Sequence, residues 1–396
     1  MNPRLLLLAL CQGLFLTNNV TFIAINGLVG LSLAPQAWMA TLPVMGYVVG
    51  GALSTGLVAR TQRRLGRQRG FQLGLLVAFG SALLCAYAAV SRQFWLLCLA
   101  TLLAGYYNAN AGLYRFAAAE LTTPEGREKA VSWVMAGGLI GAVAGPNLAA
   151  ATRDSLSVPF AGAYVALAGV ALLGLALMSC LSFPAAPAPK AGAAGGRPLR
   201  AILAQPVFIV AAATGALGYG VMNLLMAATP LAMQQCGLPF GDAAFVLEWH
   251  VIGMFAPGFF TGHLIKRYGA PRIMTAGIAL NLGCIAIALA GVQLHNFLVA
   301  LFLLGVGWNF LFTGATTLSL SAYTPDERDR AQGALNFFVF ATLALSSLSS
   351  GVLVTTQGWQ LLNWGSVLPV AVAAGALAWL AWSRHQDRGR ASAGAA

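Results

Sequence analysis

Twelve apolar stretches run from one end of this chain to the other, at about 5–30, 37–59, 71–90, 94–118, 130–152, 158–181, 203–233, 241–265, 271–291, 296–319, 331–354 and 360–382. Each is near the roughly 20 residues that a helix needs to cross a bilayer. In hydrocarbon a backbone must satisfy its own hydrogen bonds, which restricts such stretches to helices. The expected fold class is therefore all-α integral membrane, with twelve transmembrane helices. Only 8% of the residues are charged, and 46 are glycine, as suits helices packed closely in lipid. The opening MNPRLLLLALCQGLFL has the composition of a secretory signal. It continues through Thr17, Asn18 and Asn19 with no small-residue cleavage site, and so reads as an uncleaved first span.

The net charge of +12 orients the chain and does not mark a nucleic-acid surface. Counted from an N-terminus on the inner side, 19 of the 22 Lys and Arg fall inside, the exceptions being Arg92, Arg115 and Arg153. That asymmetry is the positive-inside pattern, and it places both termini in the cytoplasm. The six cysteines (Cys11, Cys85, Cys98, Cys180, Cys236 and Cys284) form no CxxC pair, which argues against a disulfide framework or a zinc site. No Walker-type glycine-lysine loop is present, so transport would draw on a gradient or on trapping inside.

Between the sixth and seventh spans lies FPAAPAPKAGAAGGRPLR, residues 183–200, a composition typical of a flexible connector. It divides the chain into halves of six spans, 1–182 and 201–396. The halves repeat. RRLGRQR at 63–69 returns as KRYGAPR at 266–272, and TPEGREKA at 123–130 returns as TPDERDRA at 324–331. Two matches at one offset indicate an internal duplication.

One set of soft ligands stands out in the seventh and eighth spans. Met222 and Met226 are four apart, and so are His250 and Met254, which puts each pair on one helix face. The break at Cys236–Gly241 turns the chain back, so Met226 and His250 lie at similar depth, as do Met222 and Met254. Thioether and imidazole together suit Cu(I). Gap-filling by an adaptable side chain accounts for the methionines equally well.

Twelve spans in two parallel halves, with a basic Gly-Arg turn after the second span of each, resemble the major facilitator superfamily. In that superfamily substrate binds between the halves near the midplane. The turns depart from its pattern: the expected aspartate is Arg63 in the first half and Lys266 in the second. Within the superfamily, MxxxM and HxxxM resemble the paired motifs of the CcoA-type copper importers. That resemblance implies that Met222, Met226, His250 and Met254 are copper ligands and that the chain imports copper for haem-copper oxidase assembly. It also implies a bacterial inner-membrane location and a downstream cytoplasmic copper chaperone or exporter. Cys236 stands where that family has a cysteine, and is a candidate relay. Cys11, Met39, Met45 and Met135 are further relay candidates for which packing is the plainer account.

A sister branch imports riboflavin, and several residues keep that cargo open: Asn18, Asn19, Asn108, Asn110, Asn309 and Asn336, with Tyr106, Tyr107, Trp249 and Trp308. Asn108 and Asn309 hold equivalent repeat positions, in GYYN and VGWN. Arg115 is expected either to pair with Glu120 or to snorkel. Glu248 is the single carboxylate at depth and a candidate for coupling to protons. AGPNLA at 144–149 is a weak likeness to an antiporter motif, and His263 and His295 read as interfacial. A third reading is a membrane copper-binding assembly factor that does not transport.

Overall fold

The computed structural model describes residues 2–123, 126–184 and 196–393. Among them every regular element is helical. Helix α1 (Pro3–Leu33) begins at Asn2, whose side chain accepts from the Arg4 N–H, with proline in the first turn, where its missing N–H costs nothing. Helix α2 (Leu42–Val90) carries the second and third expected spans as two arms meeting at Gly66. The fourth span is α3 (Phe94–Ala111) with the short α4 (Tyr114–Glu120), and α5 (Arg127–Thr152) and α6 (Ala161–Ser179) complete the first half. After α7 (Leu199–Leu203) comes α8 (Pro206–Gln235), the seventh span. The eighth is a pair, α9 (Phe240–Phe255) and α10 (Gly258–Tyr268), bent by 41°. Then follow α11 (Ala270–Ala290), α12 (Leu294–Ser319), α13 (Arg328–Thr356) and α14 (Gly358–Ala393).

Nine of the described helices are long and apolar enough to cross a membrane, and the bent pair makes a tenth. The difference from twelve lies in α2, which counts once although it holds two spans, and in α3, whose end carries Tyr106, Tyr107, Asn108 and Asn110 and is less apolar. The expected linker at 183–200 falls mostly outside the described residues.

The sequence repeat has a backbone counterpart. Gly66 has φ 81° and ψ 170°, and Gly269, at the same place in the second copy, has φ 84° and ψ 147°. A side chain is disfavoured at such positive φ, which is why both basic turns keep glycine.

Helices α1, α2, α3, α5 and α6 pack mainly on one another, and so do α8, α9 and α11–α14. The two groups touch chiefly through α5 on α9 and α2 on α13. These contacts gather at the end of the molecule that is poor in basic residues. There the Thr41 hydroxyl donates to the Ser347 carbonyl at 2.6 Å and accepts the Gly351 N–H at 3.0 Å. Phe160 and Phe240 meet edge to face at 4.9 Å with the Arg153 guanidinium over both rings. At the basic end the halves instead leave a cleft of about 470 Å³. The molecule is closed at one end and open at the other.

Candidate functional site

Helix α12 presents Trp308 and Phe312, which share a face because they are four residues apart. Their rings stack at 5.3 Å and 9°. Tyr219 of α8 closes on both, at 5.1 Å and 5.2 Å, and Phe255 at the end of α9 meets Trp308 edge-on at 6.2 Å. The first half faces this group. Tyr47 of α2 stacks on Phe22 at 5.4 Å and accepts a hydrogen bond from Asn19 at 3.1 Å. Val48, on the same helix, packs with Ala216, Val339 and Leu343, beside Tyr219 and Phe312. The Trp308 indole N–H is buried and has no hydrogen-bond partner. A desolvated donor without an acceptor is costly, and indole can only donate. The cage thus groups aromatic rings, those of Tyr219 and Phe312 partly accessible, around a buried indole donor that has no acceptor.

The three methionines lie in the main apolar core, and His250 is buried as well. Met222 and Met226 are each 3% exposed, Met254 is 6% and His250 is 0%. His250 does not simply face α8 across the turn. Its ring turns to α12, with Nδ1 2.6 Å from the Leu301 carbonyl, while Nε2 has no partner. Helix α9 packs more on α12 than on α8. Close approach of α12 is permitted by Gly305, where a Cβ would sit 2.4 Å from the His250 carbonyl. Cys236 caps α8 and is exposed, and Cys11 is buried in the first half.

Other expected residues have structural work. Asn309 is tied at both ends of its amide, accepting from Thr261 at 2.7 Å and donating to the Met254 carbonyl at 2.7 Å. Asn110 bonds Gln62 and the Gly70 carbonyl, and Tyr106 bonds Thr61. Asn18 is buried, whereas Asn108 and Asn19 remain partly accessible and Asn336 is exposed. Arg115 does not pair with Glu120. Glu120 is held by Arg67 instead, and the Arg115 guanidinium lies over Phe116 at 4.8 Å. Glu248 is away from the cage, on the rim of the α5–α9 contact, where it accepts from Asn147 at 2.8 Å. Trp249 beside it is 41% exposed on that rim. Hydropathy cannot separate a rim position from a cavity position on the same helix.

The sequence matches the Major Facilitator Superfamily over residues 5–293 and 249–396. The chain belongs to this superfamily. It is 39% identical over 363 residues to the riboflavin transporter RfnT of Brucella anthropi, covering 91% of each chain. It is also 28% identical to YdeG of Bacillus subtilis, an uncharacterised transporter of the superfamily, covering 86% of this chain and 83% of that one. Among solved structures, it resembles a bacterial homologue of the human lysosomal transporter Spinster in an inward-facing, unoccupied conformation. The TM-score is 0.72 at 15% identity, over 94% of this chain and 95% of that one, which establishes the shared facilitator fold. This facilitator is thus a multi-pass membrane transporter. Tyr219, Phe312, Tyr47 and Asn147 were not legible as site residues in the sequence. The i,i+4 spacing of Trp308 and Phe312 was the one signal available.

Proposed function

We propose that this facilitator imports a flat aromatic organic solute of the riboflavin kind into the cytoplasm of a bacterium. The observation that carries this reading is the Tyr219–Trp308–Phe312 cage, whose indole N–H lacks an acceptor. The 39% identity to a riboflavin transporter supports it. An isoalloxazine ring matches the cage on both counts, because its faces stack on aromatic side chains and its carbonyls accept an N–H. Arg115 and Asn108 would meet the polar side chain of the solute. With the basic end in the cytoplasm, the open cleft makes this the inward-facing state. The bundles 1–182 and 201–396 would rock about the cage to alternate access. The test is riboflavin uptake by riboflavin-requiring cells that lack their own importer. Growth on low riboflavin with the intact protein, lost in Trp308→Ala at equal membrane levels, is expected. No growth on low riboflavin with the intact protein in the membrane would sink the reading.

One observation favours a second cargo. His250 is wholly buried with Nε2 unpartnered, and Met222, Met226 and Met254 are buried in the main apolar core. Cu(I) is the ion that this donor set suits, with Cys236 as an entry thiol. Copper accumulation that depends on His250 and on the Met222/Met226 pair would establish it. Accumulation unchanged in His250→Ala would reduce the methionines to packing.

A further inference from the structure

The cleft at the basic end has chemistry of its own. Its walls carry Arg67, Phe116, Glu120, Arg127, Arg328 and Gln332, drawn from both halves. Arg67 is accounted for, since it grips Glu120 through Nε at 3.1 Å and Nη2 at 2.6 Å and donates also to Gln62. Arg127 and Arg328 are not. Each is the first residue of its helix, α5 or α13, and both are exposed. They stand at the same position in the two copies of the Thr-Pro repeat. Among the described residues no carboxylate pairs with either.

A helix N-terminus already carries about half a positive charge. An arginine there adds positive to positive, and the duplication does so on both sides of one cleft. Among the described lining residues three arginines stand against one glutamate. Guanidinium groups match the oxygens of a phosphate two at a time. Phe116 is 43% exposed on the same wall and offers a ring, and Gln332 offers an amide. The space of about 470 Å³ is within the usual range for a small-molecule site.

We propose that this cleft binds a phosphomonoester of a flat aromatic molecule from the cytoplasmic side. The phosphate bridges Arg127 and Arg328, and the aromatic body lies against Phe116. A ligand seated there fills the volume that must vanish when the halves close at this end, so it holds the transporter inward-facing. A carried solute that is phosphorylated after entry would in this way slow its own uptake. The aromatic body rests on the transport reading above; the phosphate site does not.

The test uses the full chain in phosphatidylcholine nanodiscs, titrated with riboflavin 5′-phosphate, riboflavin and inorganic phosphate. The ester is expected to bind at least about tenfold tighter than riboflavin, with inorganic phosphate competing. Arg127→Gln/Arg328→Gln should weaken the ester about tenfold and leave riboflavin within about twofold. Equal affinity of ester and riboflavin, or an ester affinity untouched by the double variant, overturns the proposal. So does a site that takes only lipid: no ester binding in phosphatidylcholine, with an arginine-dependent rise in Tm when phosphatidylglycerol is added. Arginine-dependent ester binding in a protein that carries no riboflavin would defeat the transport reading and leave this site standing.

Discussion

Trp308 and His250 are both buried with one ring nitrogen left without a partner, and they make opposite demands on a cargo. Indole N–H asks for an acceptor, whereas a free imidazole nitrogen suits a soft cation. The two readings separate at single residues. Trp308→Ala removes a stacked ring and a donor, a loss of about 1.5 kcal/mol or roughly tenfold in half-saturating riboflavin. His250→Gln should leave riboflavin uptake within about twofold, since the ring points to Leu301 of α12 and not to the cage. Uptake assays on the two variants side by side decide the matter, and a reversed ranking would reject the cage. Glu327 offers a check far from either ring. Arg197, first through its side chain, and then the Thr324 and Arg197 N–H groups hold its carboxyl well below the usual carboxylate range. A depressed carboxyl stabilises above its unfolded pKa and loses that contribution as pH falls, so the clasp is intact at neutral pH. Glu327→Gln should therefore speed exchange of the Arg197 amide at pH 7, and equal exchange in both proteins would show the clasp to be idle.

Among the elements, α13 shows how tightly the closed end is built. A Cβ on Gly351 would lie 2.2 Å from the Thr41 Oγ1 and 3.0 Å from its backbone nitrogen. Gly351→Val should hold that end apart and cut uptake at least about tenfold, while Ser347→Cys, buried in the parent, becomes open to a thiol reagent. Unaltered labelling would mean that α2 and α13 close by another route. The existence and order of the helices were legible because long apolar runs leave a membrane chain little choice. The two basic turns were legible too, since a duplicated glycine at positive φ is hard to replace. What the sequence left open was which helices touch. The turn at Cys236–Gly241 makes α8 and α9 successive, yet α12 takes the larger contact with α9 through Gly305 and Gly253. The methionine and histidine pairs could be read as two helix faces, but which helix His250 turns to could not. Asn309 misled in the same way, for its amide serves Thr261 and Met254.

Across the whole molecule, the Asn147–Glu248 bond is one of the few polar links between the halves, and it must part when the closed end opens. Asn147→Cys with Glu248→Cys, oxidised to a crosslink, is expected to stop uptake, and reduction should restore it. Full uptake in the oxidised form would show that α5 and α9 do not separate. The bond lies on the outside of the bundle, on the α5 face that also shows Ile140 and Val143, and beside the exposed Phe245 and Trp249 of α9. Acyl chains, not cavity water, will therefore be its surroundings on each turnover. Rupture there leaves a carboxylate and an amide facing hydrocarbon, which is costly unless the bilayer thins or admits water. The rate of opening in this facilitator should then depend on the thickness and fluidity of the host membrane, so that the lipid acts as a brake on the cycle.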